Sequence, residues 1–443
     1  MTTLRSRSAL DYLTRWRRKF TRKPLLLRGA RQVGKSSLVR LHAQDYAAFV
    51  ELNLELPADR ALFEGLPPVD DLLARIALRA RRPTLDADCL LFIDEIQESP
   101  EAIQQLRYLY ETRPGLPVIA AGSLLEFALG DVVSFPVGRV EYYTLHPLNF
   151  EEYLRWTGRD QLADCLAFAP APTYAHEELL AAFHRYAVVG GMPEPVAALA
   201  DGAELPELTA VYESIWSAYR ADAEKYARSP RERAVLRHLM ATAAAQDDRV
   251  KLAGFGGSEY RSDDVGSAFR ALELAGVLRL IYPTTSLAMP IVPALRKRPR
   301  VQLLDTGLLN HARGIQADLL HVGDLTAVYR GRIAQHIVTQ EIIATHHEPS
   351  YSPHFWVREQ AGSSAEVDLV LPSRGQLYPL EVKAGPQGKL RSLHQFVQRT
   401  GVRLGLRALR NAYSETEVTT PTGTEYKLVN IPYYAVGSWE RFV

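Results

Sequence analysis

The segment G-A-R-Q-V-G-K-S at residues 29–36 constrains the fold of this chain more than any other feature. It directly follows the apolar run PLLLR (24–28) and opens the helical pattern SSLVRLHA. A glycine-rich loop between a buried strand and a helix lets backbone amides approach phosphate groups closely. We therefore predict a phosphate-binding loop rather than a chance glycine turn, with Lys35 on the β- and γ-phosphates and the Ser36 hydroxyl on Mg²⁺. The residues predicted to hold the phosphates are Gly29, Ala30, Arg31, Gln32, Val33, Gly34, Lys35, Ser36 and Ser37.

Short apolar runs alternate with helical patterns through the first third of the chain. Continuous apolar runs between helices are typical of buried parallel strands. The alternation predicts an α/β domain built on a parallel sheet. The predicted strands are residues 24–28, 49–55, 89–93, 117–121 and 140–145.

Two carboxylates follow the third of these strands, since CLLFI (89–93) ends in Asp94 and Glu95. Ligands of open α/β sheets bind at the carboxyl ends of the strands. We predict that Asp94 binds Mg²⁺, directly or through water, and that Glu95 polarises the attacking water. A strand ending in two acids is also typical of a solvated turn, but the phosphate-binding loop favours the catalytic interpretation.

Two further polar residues are candidates for the same site. Ser123 follows the strand PVIAA, where a hydroxyl can contact the γ-phosphate or the attacking water; a plain Gly-Ser turn is the alternative. Arg139, in FPVGRVEYY, is a candidate for stabilising charge on the transferred phosphoryl group, or else a surface arginine.

Composition limits the remaining classes. The 443 residues carry 52 Lys and Arg against 51 Asp and Glu, so a nucleic-acid partner must be sought in local clusters. The hydrophobic fraction of 47% excludes a disordered or collagen-like chain. With two cysteines, Cys89 and Cys165, neither a disulfide framework nor a cysteine zinc site is expected. Because no apolar stretch reaches membrane length, we expect a soluble cytoplasmic protein without a membrane partner.

The middle of the chain is predicted to be helical. Residues 262–282 predict a helix, a turn at Gly276 and a strand, which suits the last helix and wing of a winged-helix module. A helical subdomain packed on a sheet is the alternative. The Pro- and Arg-rich segment 288–300 interrupts the helical pattern and predicts a domain boundary.

Two carboxylates and a lysine are predicted to meet near the carboxyl end of the chain. AEVDLVLP contains Asp368, and after a turn at 373–376 LYPLEVKA contains Glu381 and Lys383 on one strand face. In a hairpin these residues suit a phosphodiesterase that uses Mg²⁺ or Mn²⁺, with Glu341 from the preceding helix as a further ligand. The alternative is a same-face ion pair between Glu381 and Lys383.

A basic run follows these residues and has no acidic member. Such a run is often a solvated face, but beside a candidate phosphodiesterase site it favours a nucleic-acid partner, DNA rather than RNA. Its members are Lys383, Lys389, Arg391, Arg399, Arg403, Arg407 and Arg410.

Motifs along nearly the whole chain resemble the prokaryotic AAA-type ATPases that carry an uncharacterised C-terminal domain. They are GARQVGKSSL, FIDEIQ, AAGSLLEF, PVGRVEYYTLHPLNFEEYL and GGMPEPV. The resemblance implies an ATPase fold with an added strand between the two phosphate-site strands, ATP as the nucleotide, and sensor and charge-stabilising roles for Ser123 and Arg139.

The C-terminal region resembles the PD-(D/E)XK nuclease superfamily, in which Glu341, Asp368, Glu381 and Lys383 fall at functional positions. The segment VQLLDTGLL also recurs in the C-terminal domain of the ATPase family. Together these features predict a P-loop ATPase domain at 1–150, a helical lid and winged-helix segment at 151–295, and a nuclease-like α/β domain at 296–443.

The sequence predicts an ATPase whose C-terminal domain acts on or binds DNA under ATP control. Two alternatives stay open. One is an ATP-dependent switch with a catalytically silent binding domain, and the other is a remodelling ATPase that assembles into an oligomer.

Overall fold

The computed structural model describes residues 5–443 except 20, 124, 126–137, 226, 228, 247, 317–331, 361–362 and 384–389. The chain divides into two compact units. The first comprises Met1–His146, Leu274–Gly276 and His347–Ser350, and the second comprises Pro147–Glu273, Val277–His346 and Tyr351–Val443. Among the described helices, none combines the length and the hydropathy that a membrane crossing needs.

The first unit contains a five-stranded parallel sheet in the order β2-β3-β4-β1-β5. All five predicted strands are present, and the side chains of β3 and β4, in the middle of the sheet, are all buried. Strand β4 lies between β1 and β3, as the resemblance implied. The strands are β1 (Leu25–Arg28), β2 (Ala48–Asn53), β3 (Cys89–Asp94), β4 (Val118–Ala121) and β5 (Glu141–Thr144).

Helices cover this sheet and bury their apolar faces. Helix α1 buries Leu13 and Trp16, and the Trp16 indole donates to the Lys23 carbonyl at 2.9 Å. Helix α5 begins at a capping serine, Ser99, which accepts from the Ala102 amide. The helices are α1 (Ala9–Arg17), α2 (Lys35–His42), α3 (Pro57–Arg60), α4 (Val69–Arg79) and α5 (Pro100–Thr112).

The second unit begins with helices, as the sequence predicted for this region. The first of them has a capping box, in which Asn149 and Glu152 exchange side chain to backbone hydrogen bonds. The helices are α6 (Phe150–Trp156), α7 (Asp160–Cys165), α8 (His176–Val189), α9 (Pro193–Ala200), α10 (Leu208–Lys225), α11 (Pro230–Thr242) and α12 (Ser262–Leu274).

The predicted helix and strand of residues 262–282 are α12 and β6 (Leu278–Ile281). Strand β6 pairs antiparallel with β8 (Arg300–Leu303). This pairing crosses residue 295, the predicted domain boundary. The winged-helix assignment of the segment stays a prediction.

A seven-stranded mixed sheet, ordered β13-β14-β12-β11-β10-β9-β7, forms the rest of the second unit. The predicted hairpin is present in β10 and β11, where Leu369 pairs with Leu380. Arg374 and Gly375 both have positive φ, the geometry of a tight two-residue hairpin turn. The strands are β7 (Pro283–Thr284), β9 (His354–Gln360), β10 (Ser363–Ser373), β11 (Gln376–Val382), β12 (Leu404–Leu409), β13 (Ser414–Thr419) and β14 (Glu425–Pro432); helices α13 (Thr306–Ala312), α14 (Arg332–Ala344) and α15 (Arg391–Thr400) accompany them.

Two of the motifs that carried the resemblance meet at Asp305, inside the second unit. This buried carboxylate caps α13 through the Leu308 amide at 3.1 Å and accepts from the Gly191 amide at 2.5 Å. A Cβ atom on Gly190 would overlap the Asp305 carboxylate, and one on Gly307 would overlap the Val189 carbonyl. The motifs GGMPEPV and VQLLDTGLL therefore have a packing role that requires glycine at the contact.

Candidate functional site

The loop between β1 and α2 has the backbone shape that its glycines predict. Gly29 and Gly34 have φ angles of 143° and 94°, which few side chains tolerate. A Cβ atom on Gly29 would also overlap the Leu145 carbonyl oxygen next to the loop. Gln32 has a positive φ of 64° as well. The loop thus wraps back on itself before α2 begins, and the first turn of that helix faces the same edge of the sheet.

Lys35 is folded over this loop. Its ammonium donates to the Gly29 and Ala30 carbonyls, both at 2.9 Å, and the residue is 7% exposed. Burial lowers the pKa of Lys35 to about 8, while Glu95 and Asp94 act in the opposite direction. Lys35 therefore places one positive charge at the phosphate-binding loop, where the phosphates of a nucleotide would bind.

The Ser36 hydroxyl and the Asp94 carboxylate meet as predicted. Ser36 Oγ donates to Asp94 Oδ2 at 2.6 Å, and the Glu95 amide donates to Asp94 Oδ1 at 3.0 Å. Burial raises the pKa of Asp94, and the Ser36 hydrogen bond opposes that shift. A hydroxyl and a carboxylate at hydrogen-bond distance are the hard oxygen ligands that suit Mg²⁺, so the residues present fit this ion.

Glu95 lies beside these two residues in a left-handed conformation, with φ 51°. Sequence reasoning missed its partner, Gln97, whose amide Nε2 donates to Glu95 Oε2 at 2.6 Å. Gly122, at the end of β4, leaves space for this contact, because a Cβ atom there would overlap Gln97 Oε1. The signal was present in the quoted motif FIDEIQ, in which a side chain able to donate follows the acid by two residues.

Ser123 and Arg139 have different surroundings. Ser123 is buried at the end of β4, the strand between β1 and β3, so it lies at the predicted edge of the sheet. The Arg139 guanidinium donates to Glu111 on α5 at 2.9 Å, and its side chain is 45% exposed. The described contacts do not bring Arg139 together with Lys35, and its role stays a prediction.

Arg7 supports the loop from outside the motif. Its guanidinium donates to the Val33 carbonyl at 3.0 Å and to the His146 carbonyl at 2.8 Å, in a buried position. The arginine thereby fixes the middle of the phosphate-binding loop to the segment after β5. Sequence reasoning could not find this contact, because Arg7 precedes Val33 by 26 residues and no local pattern joins the two.

In the second unit, Asp368 and Glu381 come together on neighbouring strands of the hairpin. Asp368 Oδ2 accepts from the Val382 amide at 2.9 Å. Burial, then the charge of Asp368, raises the pKa of Glu381 above its usual range. Glu381 Oε2 is buried and has no hydrogen-bond partner among the described residues. Two close carboxylates with one unpartnered oxygen fit a divalent cation.

Cationic and polar side chains of the same unit contact these carboxylates. Lys383 forms an ion pair with Glu381 Oε1, which satisfies both the predicted site and its ion-pair alternative. Arg300, on β8, lies 3.5 Å from Asp368 Oδ1 and also pairs with Glu366. Gln335, on α14, donates to Asp368 Oδ1 at 3.2 Å. Arg300 and Gln335 were absent from the predicted site.

Glu341 is not part of this cluster, which corrects the prediction that it adds a ligand. Its carboxylate accepts from the Phe150 amide at 3.1 and 3.2 Å and from the Tyr186 hydroxyl at 2.6 Å. Burial raises its pKa to about 7. Glu341 follows Gln335 by about one and two-thirds helical turns, so the two side chains leave α14 about 120° apart, on different faces. Gln335, not Glu341, faces Asp368.

The predicted metal ligands of the second unit therefore reduce to two carboxylates. Within the residues that the structure describes, no three His, Cys, Asp or Glu side chains come close enough together to hold a metal ion. Any cation at Asp368 and Glu381 would need water or backbone carbonyls to complete its coordination.

The basic run has both exposed and engaged members. Arg391, Arg399 and Arg403 are exposed on and after α15, whereas Arg407 is half-buried and donates to Asn430 at 2.8 Å. Lys389 lies outside the described residues. The exposed arginines follow the carboxylate cluster in sequence and are accessible to phosphate groups, and the nucleic-acid partner stays a prediction.

The strand order, the glycine loop and the Ser36–Asp94 pair together define a P-loop nucleotide-binding domain. Residues 21–154 match the AAA domain family. This part of the chain is an AAA-type P-loop ATPase domain. Two further matches cover the second unit: residues 180–319 match a domain of unknown function, DUF8612, and residues 330–434 match another, DUF4143.

Matches to solved structures are at low sequence identity. A Walker-type ATPase of Pyrococcus abyssi has 17% identity and a TM-score of 0.43, covering 70% of this chain and 95% of that one. The Orc1 protein of Aeropyrum pernix in complex with DNA has 17% identity and a TM-score of 0.30, covering 72% and 94%. The RuvB branch-migration motor of Thermotoga maritima has 15% identity and a TM-score of 0.28, covering 61% and 87%. No curated protein matches the chain.

Proposed function

We propose that the first unit binds and hydrolyses ATP with Mg²⁺. The observation that carries this proposal is the 2.6 Å hydrogen bond between Ser36 and Asp94, which joins the start of α2 to the end of β3 beside Lys35. Bound Mg²⁺ would supply positive charge between phosphate oxygens. Lys35 would leave the Gly29 and Ala30 carbonyls for the phosphates, and Ser36 and Asp94 would hold the metal ion.

Glu95 would accept a proton from the attacking water in this mechanism, and Gln97 would orient its carboxylate. Ser123 would contact the γ-phosphate or the water from the end of β4. Arg139 would neutralise charge on the transferred group, in the same chain or in a second copy, after releasing Glu111.

The test is steady-state ATP hydrolysis combined with nucleotide binding. Glu95→Gln is expected to lower kcat by about a hundredfold or more while ATP still binds. Lys35→Ala is expected to weaken ATP binding itself, since the loop loses its phosphate-contacting charge. Glu64→Gln, an exposed acid of the same unit, is the control. Unchanged hydrolysis in Glu95→Gln would contradict the assignment.

We further propose that the C-terminal domain acts on DNA under the control of this ATPase. The supporting observation is the buried, unpartnered Glu381 Oε2 beside Asp368, with Lys383 on the same strand. A divalent cation at these carboxylates would activate water for phosphodiester cleavage. The exposed arginines of α15 would contact the phosphate backbone without reading base sequence.

Cleavage of linear and circular DNA, and of RNA, tests this part in Mg²⁺ or Mn²⁺ with and without ATP. Wild type is compared with Glu381→Ala, with Lys35→Ala and with Glu415→Ala, which removes an exposed carboxylate of β13. We expect cleavage of DNA that Glu381→Ala loses and Glu415→Ala keeps. A dependence on Lys35 would place the second activity under ATP control.

A silent binding domain is the second candidate, and Arg300 favours it. Its guanidinium lies at Asp368 while Lys383 pairs with Glu381, so the chain's own cations already compensate both carboxylates. Absence of cleavage, with DNA binding and ATP hydrolysis intact, would support an ATP-dependent switch. ATP-dependent assembly that Arg139→Ala abolishes would instead support a remodelling oligomer.

A further inference from the structure

We propose that a pocket beside Glu341 binds a small organic cation through a primary ammonium group. The pocket lies within the second unit and does not depend on the proposed ATPase or nuclease functions. It is bounded by the start of α6, the loop after α7, the end of α14 and the final segment Tyr433–Phe442. Its volume of about 80 Å³ has room for several water-sized groups, enough to admit an ammonium head group.

The Glu341 carboxylate lines the pocket and is 3% exposed, and Asn149, Glu151, Thr345 and Ser438 are further polar residues of its wall. Oε1 accepts from the Tyr186 hydroxyl at 2.6 Å and from the Phe150 amide at 3.1 Å. Oε2 shares only that amide, at 3.2 Å. Because a carboxylate oxygen can accept two hydrogen bonds, Oε2 keeps acceptor capacity for a ligand.

This carboxylate has no counter-charge in the part of the chain that the structure describes. No Lys, Arg or His there forms an ion pair with Glu341, and the charged neighbour that acts on it is Glu152, another acid. Burial without a paired cation raises the pKa of Glu341 to about 7, so the group is partly protonated near neutral pH, and a bound cation would favour its charged form. An ammonium group in the pocket would supply the missing charge.

Aromatic side chains form another part of the pocket wall and suit the apolar part of such a ligand. Phe168, Tyr434 and Phe442 line it, and Phe168 is 63% exposed on the loop after α7. Aromatic faces attract cations and pack against alkyl chains. A primary ammonium on an apolar stem therefore fits both parts of the pocket.

Titration calorimetry of the full chain with cadaverine tests the proposal. Wild type is expected to bind, and the near-isosteric Glu341→Gln is expected to bind about tenfold more weakly or worse. Glu151→Gln is the matched control, because this acid lies at the same pocket but pairs with Arg155 at 3.1 Å and is half-exposed. We expect it to change binding by less than about threefold. The neutral analogue pentanol is expected not to bind.

A second variant keeps the test decisive if Glu341→Gln does not fold. Gly437→Val retains the Glu341 carboxylate but fills the space next to its Oε2 atom, since a Cβ on residue 437 lies 3.5 Å from that atom. It is expected to abolish cadaverine binding. A parallel titration with an acetylated Gly-Lys-Gly amide distinguishes a lysine side chain from a free amine as the source. The proposal is overturned if neither probe binds wild type, or if both variants bind as wild type does.

Discussion

The phosphate-binding loop of the first unit follows the end of a strand, whereas the carboxylate cluster of the second unit lies on two paired strands of a hairpin. The loop is formed mainly by backbone conformation. Gly29 and Gly34 have positive φ, and the Lys35 ammonium donates to two carbonyls of the loop itself. The cluster is formed by side chains, because Arg300 and Lys383 compensate the negative charge of Asp368 and Glu381.

This difference teaches how each site would respond to substitution. A site made from backbone conformation depends on glycine, and its amide groups and lysine are available to bind a ligand. A site made from mutually compensated side chains is already satisfied electrostatically, so a metal ion must compete with the chain's own cations. The predictions below use that contrast.

The largest effect is expected for Gly29→Ala. The new Cβ would overlap the Leu145 carbonyl at a backbone angle that favours glycine, which we expect to cost about 4 kcal/mol locally. Hydrogen exchange of β1 and α2 would measure the local loss of stability, and ATP titration would measure the loss of affinity. Gly65→Ala is the matched control, with φ 74° and open space around a Cβ. We expect it to cost about 1 kcal/mol and to leave ATP affinity unchanged. Equal costs for the two variants would contradict the argument from close approach.

The sequence predicted the first site better than the second for a physical reason. Lys35, Ser36, Asp94 and Glu95 lie in two short segments, and the parallel sheet brings the carboxyl ends of its strands to one edge. The meeting of Ser36 with Asp94 therefore followed from local patterns, whereas the position of β4 between β1 and β3 was implied by the family resemblance.

The second site needed information that local patterns do not hold. The hairpin turn fixed the register of Asp368 against Glu381 and could be predicted. Arg300 and Gln335 reach Asp368 from β8 and α14, and only the tertiary packing determines those contacts. Glu341 lies outside the cluster because Gln335 is the residue of α14 that contacts Asp368, and Glu341 leaves the helix on a different face to contact Phe150.

Arg300→Ala is expected to have the next largest effect, about 2 kcal/mol of lost stability, because it leaves Asp368 without its cation in a partly buried cluster. Glu366 keeps Arg249 at 3.3 Å, so the loss falls mainly on Asp368 and Glu381. Arg300 now opposes the raised pKa of Glu381, so its removal raises that pKa further. The destabilisation should therefore be greatest above neutral pH and diminish as the acids protonate.

The melting temperature of Arg300→Ala with and without Mn²⁺ separates the two interpretations of the cluster. Recovery of stability by Mn²⁺ is expected if the carboxylates are a metal site that Arg300 occupies. Lys297→Ala is the control, since its ion pair with Glu359 is partly exposed and should be worth less than about 1 kcal/mol. If Mn²⁺ stabilises neither variant nor wild type, the silent binding domain is favoured.

The smallest effect concerns how the first site orients its acid. Gln97→Leu removes the 2.6 Å hydrogen bond to Glu95 and is expected to lower kcat about tenfold with KM unchanged, equivalent to about 1.4 kcal/mol in the barrier. Gly122→Ala should reproduce this loss without touching Gln97 chemically, because its Cβ displaces the Gln97 amide. Gln104→Leu, on α5, controls for loss of a glutamine elsewhere in the unit. An unchanged kcat in Gln97→Leu would contradict the orienting role of the amide. A rise in KM in both variants would mean that it positions the nucleotide.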